Sequence, residues 1–106
     1  MAAALINVPK KAKNGDVIEI KTLMSHVMET GFRHTTSGVV IPRDIITSFS
    51  CRFEGEEVFR ADLFPATAAN PFFSFFTVAT RSGKFDFEWI GDNGFSETAS
   101  ASIIVE

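Results

Sequence analysis

The 106-residue chain predicts an all-β protein, an antiparallel sandwich of roughly six or seven short strands. Three observations predict it. Turn chemistry recurs at short intervals: Asn14-Gly15, Gly31, Gly38, Pro42, Gly55, Pro65, Asn70-Pro71, Gly83 and Asp92-Asn93-Gly94. Between these marks apolar and polar residues alternate, because successive strand side chains point to opposite faces. No segment carries a sustained helical period with caps.

The runs follow in order. Over residues 16–23, Ile18 and Ile20 share a face against Val17, Glu19 and Lys21. Over 45–53, Ile45, Thr47, Phe49, Cys51 and Phe53 oppose Ser48, Ser50 and Arg52. Over 58–63, Phe59, Ala61 and Leu63 turn inward and Arg60 and Asp62 outward. The run at 84–90 groups Phe85, Phe87 and Trp89 against Lys84, Asp86 and Glu88. The last, over 95–105, sets Ala99, Ala101, Ile103 and Val105 opposite serines and Thr98. "GDNG" joins these last two as a hairpin, since Asn and Gly tolerate the positive φ such turns require. Small Ala99 and Ala101 leave room for the neighbouring aromatic side chains.

Composition excludes several function classes. One domain covers residues 1–106, and 45% apolar residues with 12 Phe and one Trp are ample for its core. A net charge of -3, with no basic run beyond Lys10, Lys11 and Lys13, leaves no nucleic-acid footprint. No apolar run approaches the roughly 18–20 residues of a membrane helix. The N-terminal stretch lacks the charged region of a secretory signal. Cys51 is the single cysteine, so no intramolecular disulfide forms and the Cys…Trp…Cys pattern of antibody domains is absent. The term immunoglobulin-like therefore describes shape only.

The densest polar cluster, "MSHVMETGFRH" over 24–34, holds His26, Glu29, Arg33 and His34. Two readings stand. His26, Glu29 and His34 are plausible ligands for a small metal-dependent enzyme. Otherwise the segment is a hydrogen-bonded connection between sheets, and the absence of compact zinc spacing favours this. Superoxide-reductase chemistry, which lives on a similar sandwich, needs four histidines and a cysteine, and this chain has two histidines. Cys51 lies among Phe49 and Phe53 on its strand face, with no His or carboxylate there to activate it, so it reads as a core residue. No nucleophile-elbow, P-loop or dinucleotide motif is present, and "EGEE", residues 54–57, reads as a solvated hairpin turn.

Three stretches carry a resemblance: "DVIEIKTLMSHVMETGFRH", "GVVIPRDIITSFSCRFEGEEVFRADLFPATAANPFFSFFTVATRSGKFDFEW" and "DNGFSETASASIIV". Together they resemble the SoxZ family of the sulfur-oxidising Sox system over about residues 17–105, with Val27 standing where the family pattern has proline. The resemblance implies an immunoglobulin-like antiparallel β-sandwich of about seven strands. It also implies a heterodimer with SoxY, whose C-terminal cysteine, in a Gly-Gly-Cys-Gly-Gly tail, carries the sulfur intermediates of thiosulfate oxidation. This chain ends "SIIVE" and would be the non-catalytic subunit, without cofactor or metal. It would work in the bacterial periplasm, exported with its partner, and would meet other Sox enzymes transiently. The alternative from another class is a free-standing immunoglobulin-like protein-binding module.

Two expectations about the site follow. In the run "NPFFSFFTVAT", residues 70–80, both faces are aromatic. Phe72 and Phe76 are assigned to the core because Val78 continues their face. Phe73 and Phe75 are then surplus: covered by the "ADLFPATAA" loop or the N-terminal arm, or, as the resemblance favours, contacting the partner together with Asn70 and Pro71. A second copy of the chain would take that place when the partner is missing. His26, Glu29, Arg33 and Arg43 would lie near the partner's carrier tail, where an arginine steers anionic sulfur species. Alternatively Arg33 pairs with Glu29 four residues away and only orders the loop.

Overall fold

The computed structural model describes residues 3–106, which form eight strands and one short 3-10 turn. The strands are β1 (Ala4–Asn7), β2 (Lys11–Ala12), β3 (Val17–Met24), β4 (Ile46–Phe53), β5 (Glu56–Asp62), β6 (Phe72–Val78), β7 (Gly83–Gly91) and β8 (Ser96–Val105). A three-stranded sheet in the order β1-β3-β6 packs on a five-stranded sheet in the order β2-β8-β7-β4-β5. All pairings are antiparallel except the parallel contact of β2 with β8. This is the antiparallel sandwich that the alternating runs predict.

The extra strands come from the N-terminal arm. β1 pairs with β3 in one sheet, and the chain then passes Pro9 and joins β8 in the other. A proline suits this crossover, since it has no N–H to leave unpaired between two ladders. The β4–β5 hairpin turns at Glu54 and Gly55, both with positive φ (49° and 86°), the two-residue geometry that matches strand twist. At the β7–β8 turn Asn93 and Gly94 take positive φ as well.

The core is aromatic and centred on Phe49. Its ring stacks on Phe73 at 4.8 Å and packs against Trp89 at 5.1 Å. Phe59 stacks on Phe75 at 4.3 Å. These contacts overturn the face assignment of β6. Phe75 is 7% exposed and Phe73 packs against the core, whereas Phe72 and Phe76 are 56% and 66% exposed. Neither a loop nor the N-terminal arm covers the pair; the opposite sheet does.

The register explains why. Ile20 lies directly across from Phe75 and Thr22 across from Phe73. Directly opposed residues share a sheet face. β3 is unambiguous, with Ile18, Ile20 and Thr22 buried, so the inward side of β6 must be Phe73, Phe75, Thr77 and Ala79. A one-residue shift exchanges the two faces of a strand, and a run apolar on both sides does not fix which one is inside.

Candidate functional site: a clamped loop pole and an open sheet face

The β3–β4 connection, the approach to β6 and the β7–β8 turn meet at one end of the sandwich. Glu29 and Asp44 exchange two backbone hydrogen bonds of 2.8 Å, closing the connection at its base. Beyond them, His34 pairs with Val40 across a turn in which the Thr35 hydroxyl accepts from the Val39 amide at 3.2 Å.

His26 is the node of this pole. Its Nδ1 accepts from the Met28 N–H at 3.0 Å, its Nε2 lies 3.8 Å from Asp44 Oδ1, and its ring meets Phe95 edge-on at 4.8 Å. The acceptor role of Nδ1 places the proton on Nε2, facing Asp44. Past the end of the β3–β6 ladder, the His26 N–H donates to Asn70 Oδ1 at 2.9 Å and the Asn70 N–H donates to the His26 carbonyl at 2.8 Å.

Both arginines of the pole are paired. Arg33 Nε donates to the two Glu29 carboxylate oxygens at 3.2 and 3.1 Å, and its Nη2 bonds the same group. That hydrogen bond is the main reason the Glu29 carboxyl is held below its ordinary pKa. Arg43 grips Asp92 in a bidentate pair of 2.8 and 2.9 Å. Asp92 also accepts from the Ile45 amide at 3.2 Å, and the Arg43 hydrogen bond chiefly lowers its pKa. Neither arginine stands as a bare positive charge. The expected Arg33–Glu29 pairing is present; the Arg43–Asp92 fork spans 49 residues and has no local signal in the sequence.

The metal reading is corrected by this geometry. His26 faces Asp44 and Phe95, Glu29 faces Arg33, and His34 sits in the exposed turn opposite Val40. Among the described residues no three His, Cys, Asp or Glu side chains gather to hold an ion.

Cys51 is fully buried between its cross-strand partners Phe59 and Phe87. Burial, with a smaller contribution from Asp86, pushes its pKa from 9.0 up to about 12. A thiol that keeps its proton this strongly is a poor nucleophile.

The second feature is the outer face of the β1-β3-β6 sheet. Leu5, Leu23 and Phe72 form one row across all three strands. Val17 and Val78 form another at the far end, next to Phe76. Between them runs a narrow polar belt: the Ser74 hydroxyl donates to Glu19 at 2.7 Å, and Lys21 lies 3.7 Å from Glu19. β6 is also an edge strand, paired among the described residues with β3 alone. Of the residues expected to touch a partner, Phe73, Phe75 and Pro71 are instead on the core side, and the Asn70 side chain is used to hold His26. The exposed positions on β6 are Phe72, Phe76 and Val78.

The fold is thus an antiparallel β-sandwich whose one thiol is sealed inside. Its polar end is internally paired, and one sheet face is open and apolar. The chain belongs to the SoxZ family: the model of the family described as "Sulphur oxidation protein SoxZ" matches residues 6–102. It is therefore a protein of the Sox system of sulfur oxidation. No curated protein matches it by sequence. Among solved structures, the superoxide reductase (neelaredoxin) of Ignicoccus hospitalis superposes with a TM-score of 0.75 at 19% identity, covering 97% of this chain and 80% of that one. The sulfur carrier protein SoxY of Chlorobium limicola f thiosulfatophilum superposes with a TM-score of 0.71 at 16% identity, covering 98% and 79%. A putative superoxide reductase of Thermotoga maritima gives 0.75 at 18%, covering 97% and 85%. At these identities the likeness is one of fold.

Proposed function

We propose that this chain is the non-carrier subunit of a heterodimeric sulfur carrier. It scaffolds a SoxY partner whose own cysteine holds the intermediates of thiosulfate oxidation, in the bacterial periplasm. The observation that carries this reading is Cys51. A carrier thiol must reach successive enzymes and ionise to attack, and this one is enclosed by Phe49, Phe59 and Phe87 with its pKa near 12. A thiol so enclosed supports a carrier thiol on the partner rather than on this chain. The pole supports the same division of labour, since its charged side chains are engaged with one another.

The test is co-expression with SoxY followed by reconstituted thiosulfate oxidation. The two chains are expected to purify as a one-to-one complex, and Cys51→Ala is expected to leave turnover unchanged per mole of complex. Lost turnover in a folded, SoxY-bound Cys51→Ala protein would place the carrier thiol here instead.

A further inference from the structure

The outer face of the β1-β3-β6 sheet is an uncovered sheet surface that is largely apolar. Leu5, Val17, Phe72, Phe76 and Val78 are all more than half exposed on it. Together these side chains expose about 500 Å² of apolar area. That is the upper range of what a monomer tolerates. It is also the apolar share of a standard interface, which buries about 800 Å² per partner.

Of the four edge strands, β5 and β6 are treated differently. β5, at the edge of the five-stranded sheet, carries Glu56, Glu57, Arg60 and Asp62. Such charges keep an open edge from pairing with another chain. β6 has no charge and no proline within Phe72–Val78. β5 is thus guarded and β6 is not, and the guard is missing where the open face adjoins it.

We infer that the carrier partner docks on this face, with Phe72 and Phe76 of β6 as its two anchors. This rests on the heterodimer reading above and adds where the partner sits. The occupant is a second sandwich of the same fold, since SoxY superposes on 98% of this chain. A second sandwich of this fold can offer its corresponding sheet face, so that the two pack about an approximate twofold axis as in an isologous dimer. The row Leu5–Leu23–Phe72 adjoins the His26–Asn70 clamp. A partner covering this face therefore borders the loop pole at the Phe72 end and reaches Val17 and Val78 at the other.

The test compares wild-type protein, Phe72→Ser/Phe76→Ser and a control, Ile104→Ser, whose exposed side chain lies on β8 of the other sheet. Each is titrated with purified SoxY by calorimetry, and its melting is followed by circular dichroism. The double variant is expected to bind roughly 100-fold more weakly or worse, as loss of two central anchors does. Its melting is expected to stay near that of wild type, and the control to bind normally. A folded double variant within threefold of wild-type affinity overturns the assignment of the face and leaves the heterodimer intact. Wild-type protein that does not bind SoxY overturns the heterodimer reading itself. Sedimentation of the chain alone gives a further outcome: a tight self-dimer broken by the double substitution, without SoxY binding, makes a second copy the occupant and overturns the proposal. If the double variant fails to fold, hydrogen exchange on the wild-type complex decides. Amides of Phe72–Val78 are expected to slow on adding SoxY, and unchanged exchange there overturns the inference.

Discussion

His26 and Asn70 hold each other through two hydrogen bonds, backbone to side chain at 2.9 Å and backbone to backbone at 2.8 Å, although 44 residues separate them. Two of the chain's non-glycine residues with positive φ flank this node: Asn70 itself at 53° and Met28 at 52°. Each is tied to His26, Met28 through its N–H to the ring nitrogen. The clamp fixes the start of β6 and the end of β3 in one frame, and it compensates for two backbone conformations that L-residues ordinarily avoid.

Asn70→Ala and Asn70→Gly separate the two contributions. Alanine loses the side-chain acceptor and must still adopt the left-handed conformation. Its expected cost is about 2–3 kcal/mol, combining about 1–2 for the conformation with about 1 for the bond. Glycine loses only the bond, so about 1 kcal/mol is expected. Urea unfolding of both variants checks this, and equal costs would remove the conformational part of the argument.

Thr22 is fully buried, and its hydroxyl, like the Trp89 indole N–H, has no hydrogen-bond partner among the described residues. An unpaired buried hydroxyl disfavours the folded state, because water satisfies it in the unfolded chain. Thr22→Val keeps the shape and removes the unmet group. It is expected to stabilise by about 1 kcal/mol. A melting temperature lower than wild type would show that the hydroxyl has a partner in solution.

Cys51 gives an alkaline signature. Its folded pKa lies above the unfolded value, so the folded state holds its proton more tightly. The stability this confers is complete below pH 9.0 and is lost as pH rises towards about 12. Denaturant unfolding from pH 8 to 11 should therefore fall less steeply for Cys51→Ala than for wild type. At pH 8 the native thiol is expected to resist an aromatic disulfide reagent that reacts at once with urea-unfolded chain. Prompt labelling of the native protein would contradict the burial.

The acid side belongs to Glu29 and Asp92. Both have folded pKa values lowered by their arginines, so the stability they confer is present above the ordinary carboxylate range and is lost as pH falls through the folded values. Below about pH 4 the pole should loosen before the aromatic core. Asp92→Asn, which keeps the shape but not the charge, should flatten the acid limb of a melting-temperature profile between pH 2 and 6. An unchanged limb in both Asp92→Asn and Glu29→Gln would assign acid sensitivity elsewhere.

The sandwich is legible in the sequence wherever one strand face is polar. β3, β5, β7 and β8 alternate cleanly, and the inward sets Ile18–Ile20, Phe59–Ala61 and Phe85–Phe87–Trp89 are those the pattern names. The N-terminal strands are missed because four and two residues are too short to show a period. At the pole, Arg33–Glu29 is readable from four-residue spacing. Arg43–Asp92 and His26–Asn70 arise only when distant turns meet. Asn70-Pro71 reads as turn chemistry, and nothing local says that its amide reaches His26.

β6 marks the limit, and it supplies a direct test. With aromatic residues on both faces, its orientation is set by pairing with β3 rather than by its own composition. Phe75 is stacked on Phe59 and opposed to Ile20; Phe76, one residue on, points to solvent beside Glu19. Phe75→Ala removes a packed ring between two sheets and is expected to cost about 3–5 kcal/mol. Phe76→Ala removes an exposed one and is expected to change the stability of the isolated chain by no more than about 0.5 kcal/mol. Urea midpoints with unchanged slopes give both values. Similar losses at the two positions would mean that the outer face is covered in the free protein, and a larger loss at Phe76 would restore the opposite orientation of the strand.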